Sequence, residues 1–288
     1  MPSRSLTRTV ASACWHGARF ALKDRSLGTV FQSDGVPIYY TDEGAGVPVV
    51  LVHGFAVNER LNWRLPGVTR MLARDLRVIS IDVRGHGRSG KPHRVAGYGP
   101  ELVEDMTRLL DHLGLERAHV AGYSLGGFIA LKLATVRPER MLSVAVLGAG
   151  WEPPDNRAFL DALPKLADDL EAGRGIGPLM GNLGAERNKP GLIHQLWVKL
   201  LTRYFNDAKA LVALIRSTPQ LAVDEAELRS LELPVCSIVG SRDPLAVSVD
   251  AMRGKISDHT VCVVDGADHI ATPMRPEFQD ALRGFLLR

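Results

Sequence analysis

Gly122-Tyr123-Ser124-Leu125-Gly126-Gly127 follows directly on an apolar run, Ala118–Ala121, and leads directly into a helical pattern over Leu125–Val136. A chain that changes from strand to helix at one residue must hold that residue in a sharp, strained conformation. Its side chain is thereby presented at the end of the strand. The residues two positions to either side must be small, or the strand and helix backbones collide. That is the physical content of the pattern Gly-x-Ser-x-Gly, and it makes Ser124 a candidate nucleophile. The start of the helix adds a partial positive charge that favours a developing anion. The plainer alternative is a Gly-rich turn that happens to contain a serine. The strand on one side and the helix on the other argue against it.

A hydroxyl needs a base to become a nucleophile, and the base needs an acid to orient it. Nine histidines are available, so placement decides. His269 lies in Asp265-Gly266-Ala267-Asp268-His269, just past the apolar run Thr260–Val264. Asp243 lies in Gly240-Ser241-Arg242-Asp243-Pro244, just past the run Val235–Val239. As neighbouring parallel strands, these runs would set Asp243 and His269 on adjacent loops at the sheet edge that carries Ser124. The chain order Ser124, Asp243, His269 is the one expected of such a nucleophile turn. Asp265 and Asp268 are rival acids, but residues this close to His269 in sequence are poorly placed to reach its ring. Glu152, after the run Ser143–Leu147, is a further rival. Asp243 itself has a structural alternative, as a turn residue ahead of Pro244.

Acyl transfer also requires donors for an oxyanion. The backbone N–H of Leu125 is one candidate. The second is the N–H of Phe55, in His53-Gly54-Phe55 after the run Val49–Val52, where Gly54 lets the backbone come close. His53 is expected to hold this loop by a hydrogen bond and to take no part in chemistry. The segment Asp82-Val83-Arg84-Gly85-His86-Gly87-Arg88-Ser89 reads as a tight loop pinned by hydrogen bonds at the floor of the site. His53, His86, His93 and His269 show no metal-ligand spacing, so no metal is expected.

The organisation around these motifs is α/β. Candidate strands are Thr29–Gln32, Pro37–Thr41, Val49–Val52, Arg77–Asp82, Ala118–Gly122, Ser143–Leu147, Val235–Val239 and Thr260–Val264. Several are continuous Val/Ile/Leu runs, as strands covered on both faces should be. Helical patterns fall between them at Val68–Arg74, Pro100–Leu113, Leu125–Val136, Ser248–Ile256 and Pro276–Leu287. The alternation fails from Trp151 to about Val223. Helix-like pieces there cover Ala158–Glu171, Leu192–Phe205 and Ala208–Arg216, broken by a Gly-rich connector, Gly173–Gly184. The expected domains are a core over 28–150 and 223–288 with a helical cap inserted at 151–222. Trp63, Trp151, Phe159 and Trp197 are candidate linings of a substrate pocket.

Composition limits the partners. The chain has 288 residues, 35 Lys+Arg and 32 Asp+Glu, a net charge of +3. Residues 1–27 hold five bases (Arg4, Arg8, Arg19, Lys23, Arg25) and one acid, Asp24, leaving 30 bases and 31 acids for the rest. The body is not basic, and no nucleic-acid partner is expected. The leader is expected to be mobile or loosely packed; Arg8, His16 and Arg19 interrupt any secretory apolar run. No apolar run approaches the ~20 residues of a membrane span. Cys14, Cys236 and Cys262 do not make a disulfide framework. A cytoplasmic location is expected; the oligomeric state is left open.

With these motifs assembled in order (His53-Gly54, Asp82–Ser89, Gly122–Gly126 and the Asp243/His269 pair), the chain resembles the α/β-hydrolase fold superfamily over about residues 28–288. The resemblance is to its serine-nucleophile branch with a helical cap. It implies an eight-stranded, mostly parallel sheet flanked by helices, a cap after the sixth strand, and no metal or organic cofactor. Ser124 stands where the dehalogenase and epoxide-hydrolase branches carry Asp. The lipase-type His-Gly-Gly-Gly is missing, since Phe55 and Ala56 follow His53-Gly54. The expected activity is serine hydrolysis of a small-molecule ester through an acyl-enzyme. Lactone hydrolysis, carbon–carbon bond hydrolysis and perhydrolysis use the same triad and stay open. A ligand-binding receptor with slow hydrolysis, or a scaffold with an idle triad, is the alternative from another class.

Overall fold

The computed structural model describes residues 28–155, 157–176 and 207–288. The leader with Cys14, the predicted helix over residues 192–205 and most of the Gly-rich connector lie outside them. Eight strands form one sheet. They are β1 (Thr29–Ser33), β2 (Val36–Gly44), β3 (Pro48–Val52), β4 (Arg77–Ile81), β5 (Ala118–Tyr123), β6 (Met141–Leu147), β7 (Val235–Gly240) and β8 (His259–Val264). Their spatial order is β1-β2-β4-β3-β5-β6-β7-β8. β1 and β2 form a hairpin, and β2 runs antiparallel to β4; every other pairing is parallel. At the hairpin turn Asp34 and Gly35 both have positive φ, 48° and 75°. That backbone twist matches the twist of the flanking strands.

The parallel strands are apolar throughout because both faces are covered. Val50 and Val52 of β3 join a core beneath α2 (Pro100–His112) and α3 (Leu125–Val136). Val49 and Leu51 join a second core with α1 (Val68–Leu72) and α8 (Pro276–Leu286). Between β6 and β7 stand α4 (Ala158–Glu171), α5 (Ala208–Ser217) and α6 (Glu225–Arg229); α7 (Ala246–Asp250) stands between β7 and β8. Leu163, Leu166 and Leu170 of α4 meet Leu211, Val212 and Ile215 of α5 in a third cluster, which also takes in Ala56 and is flanked by Phe55. The inserted helices are thus seated on the loop after β3.

That position matters. β4 lies on one side of β3 and β5 on the other. The chain leaves β3 and β5 in opposite directions, and a crevice is expected beyond the carboxyl ends of two such strands. Gly54 and Ser124 both stand there.

The predicted helix over Ser248–Ile256 is replaced by α7, which starts two residues earlier and ends at Asp250. Turns follow, with Gly254 at φ 71°. A five-residue π-helix at Arg60–Arg64 and the short α6 carry no long apolar period and were not expected. Among the described residues no helix is long and apolar enough to cross a membrane.

Candidate active site

Ser124 sits between β5 and α3 with φ 54° and ψ −115°, a conformation that costs an L-residue on the order of 1–3 kcal/mol. Neighbouring contacts enforce it. The Ser124 N–H donates to Leu147 O of β6 at 2.8 Å, and its carbonyl accepts from Gly127 and Phe128 at the start of α3. A Cβ at Gly122 would run into the Gly126 carbonyl, and one at Gly126 into the carbonyl of Val52. Both glycines are required by backbone-to-backbone approach, as the sequence pattern implied.

Asp243 and His269 come together from the ends of β7 and β8. Asp243 Oδ2 lies 2.7 Å from His269 Nδ1. The other carboxylate oxygen accepts the Leu245 N–H at 2.9 Å, so the acid is held at both oxygens. Both residues are buried, at 4 % and 3 % exposure. Gly240 makes the approach of the two loops possible, because a Cβ there would collide with Ala267 O. Tyr123 completes the frame. Its hydroxyl donates to His269 O, and its ring centroid lies 5.2 Å from the imidazole. Burial raises the Tyr123 pKa well above its ordinary value, so it remains a donor. The residue before Ser124 therefore ties the elbow to the histidine loop. Among the described residues Ser124 Oγ makes no hydrogen bond, and none links it to His269.

The rival acids are occupied elsewhere. Glu152 accepts from the N–H groups of Phe159 and Leu160 at 3.1 and 3.0 Å and closes the N-terminus of α4. Asp268 accepts from Ile270 and Ala271 N–H within its own turn, and Asp265 accepts from Ser241 Oγ.

The loop after β3 is fixed on both sides of Phe55. Gly54 N–H donates to Asn62 Oδ1 at 2.8 Å, and Ala56 N–H donates to His86 Nε2 at 3.0 Å. Among the described residues the Phe55 N–H between them has no acceptor. The Leu125 N–H is one of the first helical donors, which have no acceptor within their own helix. A Cβ on Gly54 would stand 3.3 Å from Ser124 Cβ, so this loop lies directly against the elbow. Asn62 and His86 are supports that sequence reasoning did not assign. Nothing in the sequence marks Asn62, which reaches Gly54 only through the π-helix.

His53 holds this loop by hydrogen bonds, as expected. Its Nε2 accepts the Val83 N–H at 2.9 Å, and Nδ1 lies 2.7 Å from Gly54 O. That pattern needs a neutral ring with its proton on Nδ1. Burial lowers the pKa of His53, and it lowers that of His86 to about 3. The Asp82–Ser89 loop is a lattice of such bonds. Asp82 accepts from Glu59 and Arg88 N–H, and Ser89 Oγ donates to Asp82 O.

The expected pocket aromatics separate. Trp63 is fully buried, edge-on to Tyr123, in the core shared by α1 and α8. Its position inside the π-helix turns it into the sheet. Trp151 donates its indole N–H to Val223 O and lines a cavity that touches none of Ser124, Asp243 or His269. Phe159 stacks on Phe128 at 5.5 Å and packs, as Phe55 does, against the cluster of α4 and α5. Trp197 lies outside the described residues. Among the described residues no group of three His, Cys, Asp or Glu is placed to hold a metal ion.

Comparison with known proteins agrees with this fold. The chain is 30 % identical over 235 residues to the dihydrolipoyllysine-residue acetyltransferase component of an acetoin cleaving system from Pseudomonas putida, covering 78 % of this chain and 59 % of that protein. It is 39 % identical over 121 residues to a putative carbamate hydrolase, RutD, from Azorhizobium caulinodans, covering 41 % of this chain and 43 % of that protein. The chain thus spans about half the length of these two relatives. Among solved structures, one described as Est816, an N-acyl homoserine lactone degrading enzyme, superposes with a TM-score of 0.72 at 28 % identity, covering 89 % of this chain and all of that one. A family model described as alpha/beta hydrolase fold matches residues 47–273. With the sheet order, the elbow and that match in agreement, the chain belongs to the alpha/beta hydrolase fold family.

Proposed function

We propose that this protein is a serine hydrolase of carboxylic esters, with Ser124 as nucleophile, His269 as base and Asp243 as the orienting acid. The observation that carries the reading is the buried 2.7 Å contact between Asp243 and His269 at the sheet edge that presents Ser124. Phe55 and Leu125 supply the two oxyanion donors, and α4 and α5 belong to a cap over residues 151–222.

The steps follow from the placement. Ser124 Oγ attacks the ester carbonyl carbon while its proton passes to His269 Nε2. Asp243 holds the proton on Nδ1 and stabilises the imidazolium; it does not itself take the proton. The carbonyl oxygen becomes an oxyanion, and the N–H groups of Phe55 and Leu125 stabilise it. Collapse expels the alcohol, which takes the proton from His269. Water then gives a proton to His269 and attacks the acyl group. Release of the acid returns the proton to Ser124. The Ser124–His269 hydrogen bond forms when substrate is bound; catalytic contacts are often long in the empty site.

Lactones are a second substrate geometry for the same machinery. The 28 % identity with a structure described as a lactone-degrading enzyme favours testing them. The deciding experiment is fluorophosphonate labelling followed by turnover of p-nitrophenyl butyrate and an acyl-homoserine lactone. Labelling at Ser124 with sustained turnover supports the proposal. Labelling with a single burst points to a receptor-like protein, and no labelling of folded protein overturns the nucleophile assignment.

A further inference from the structure

A cavity of about 410 Å³ lies beside the candidate active site, between α3, the segment after β6, α4 and the start of α6. That volume is in the usual range for small-molecule sites. Its apolar wall is made by Phe128 and Leu131 of α3, Trp151, Leu160, Leu221 and Val223. Phe128 is also half of the stacked pair with Phe159.

The charges around the cavity are not balanced in the way their number suggests. Four acids line it, and each is occupied. Glu152 closes the N-terminus of α4. Asp224 caps α6 through the Glu227 N–H. Glu227 pairs with Lys132 at 2.7 Å, and Glu225 pairs with Lys255 and Arg229 at 2.9 and 2.7 Å. Arg157 is the exception. It lines the same cavity, its Nε is buried without a hydrogen-bond partner, and it has no ion pair among the described residues. A carboxylate is the partner that fits the forked donors of a guanidinium without an ion pair.

We propose that this cavity is a binding site for an amphipathic carboxylate, with the acid group on Arg157 and an aliphatic body against Trp151, Leu131 and Phe128. The site is separate from the Ser124 centre, and none of Ser124, Asp243, His269 and Phe55 lines it. A carboxylic acid is also the product class of ester hydrolysis. Occupancy of the cavity nevertheless does not depend on that reading.

Calorimetric titration of the full chain with octanoate and with 1-octanol tests the proposal, since the two differ mainly in the charged group. Octanoate is expected to bind one-to-one and about ten-fold or more tighter than the alcohol, the gain of one charge-assisted contact. Arg157→Gln should erase that preference while leaving 1-octanol binding within about two-fold. Leu131→Trp, which fills the cavity, should abolish both; Ala222→Phe serves as a second filling variant should the first fail to fold. Ser124→Ala should bind octanoate as the parent does. Equal affinity for the two probes, a preference that survives Arg157→Gln, or octanoate binding that survives filling of the cavity overturns the proposal. Because binding alone is measured, failure of the ester-hydrolase reading leaves the result interpretable.

Discussion

Asp243 Oδ2 and His269 Nδ1 stand 2.7 Å apart, and the carboxylate is fixed through its second oxygen by the Leu245 N–H. The imidazole is therefore set in one tautomer, with its proton on Nδ1 and Nε2 left as an acceptor. Asp243→Asn should leave the fold intact and lower kcat about 10³- to 10⁴-fold, because the amide admits the wrong tautomer. Glu152→Gln should leave kcat within a few-fold. Steady-state turnover of a p-nitrophenyl ester by both variants decides between the two acids.

Ser124→Ala should remove turnover and fluorophosphonate labelling together. Ser124→Gly should do the same while raising stability by about 1 kcal/mol, since glycine accepts the φ of 54° without strain. Denaturant titration of the two variants measures the difference. A glycine variant less stable than the alanine variant contradicts the strain argument.

Asn62 holds the loop after β3 through the Gly54 N–H. Asn62→Ala leaves the Gly54 N–H without its acceptor, at a stability cost of about 1–3 kcal/mol. With the Phe55 amide no longer fixed, kcat should fall about ten- to hundred-fold, with KM changing less. A fall confined to KM would show that the loop binds substrate and does not stabilise the transition state.

Glu59 gives a pH prediction with a definite sign. Burial and the Asp82 charge raise its pKa to about 7, and Oε2 has no hydrogen-bond partner. The folded protein then holds this proton more tightly than the unfolded chain does. Stability is lost as pH rises from about 4.5 to 7, and the penalty is complete above that range. Glu59→Gln should therefore stabilise the protein at pH 8, on the order of 1–2 kcal/mol after allowance for solvent screening, and change little at pH 5. Equal effects at the two pH values would count against it.

Much of the fold was legible because its signals are local. Val/Ile/Leu runs marked the strands, and the amphipathic stripe of Pro100–His112 marked a helix that buries Leu102, Met106 and Leu109. The elbow was legible for a different reason. Gly122 is required by the Gly126 carbonyl four residues on, so that constraint is written inside one hexapeptide, whereas Gly126 is required by Val52 of the neighbouring strand. The burial of Trp63 was not legible, because its face depends on a π-helix that no apolar period announces. Asn62 was missed for the same reason.

The sequence by itself determined the strand-to-helix turn at Ser124, the alternation that builds a parallel sheet, and the order of the candidate catalytic residues. These rest on backbone sterics and hydrophobic periodicity, which act over neighbouring residues. Tertiary structure alone decided which acid meets His269, which side chains hold the loop after β3, and which aromatic residue is core. Those choices depend on loops that meet only after β3, β5, β7 and β8 have paired. Close approach at Gly54 and Gly240 then selects one arrangement among several that the sequence allowed.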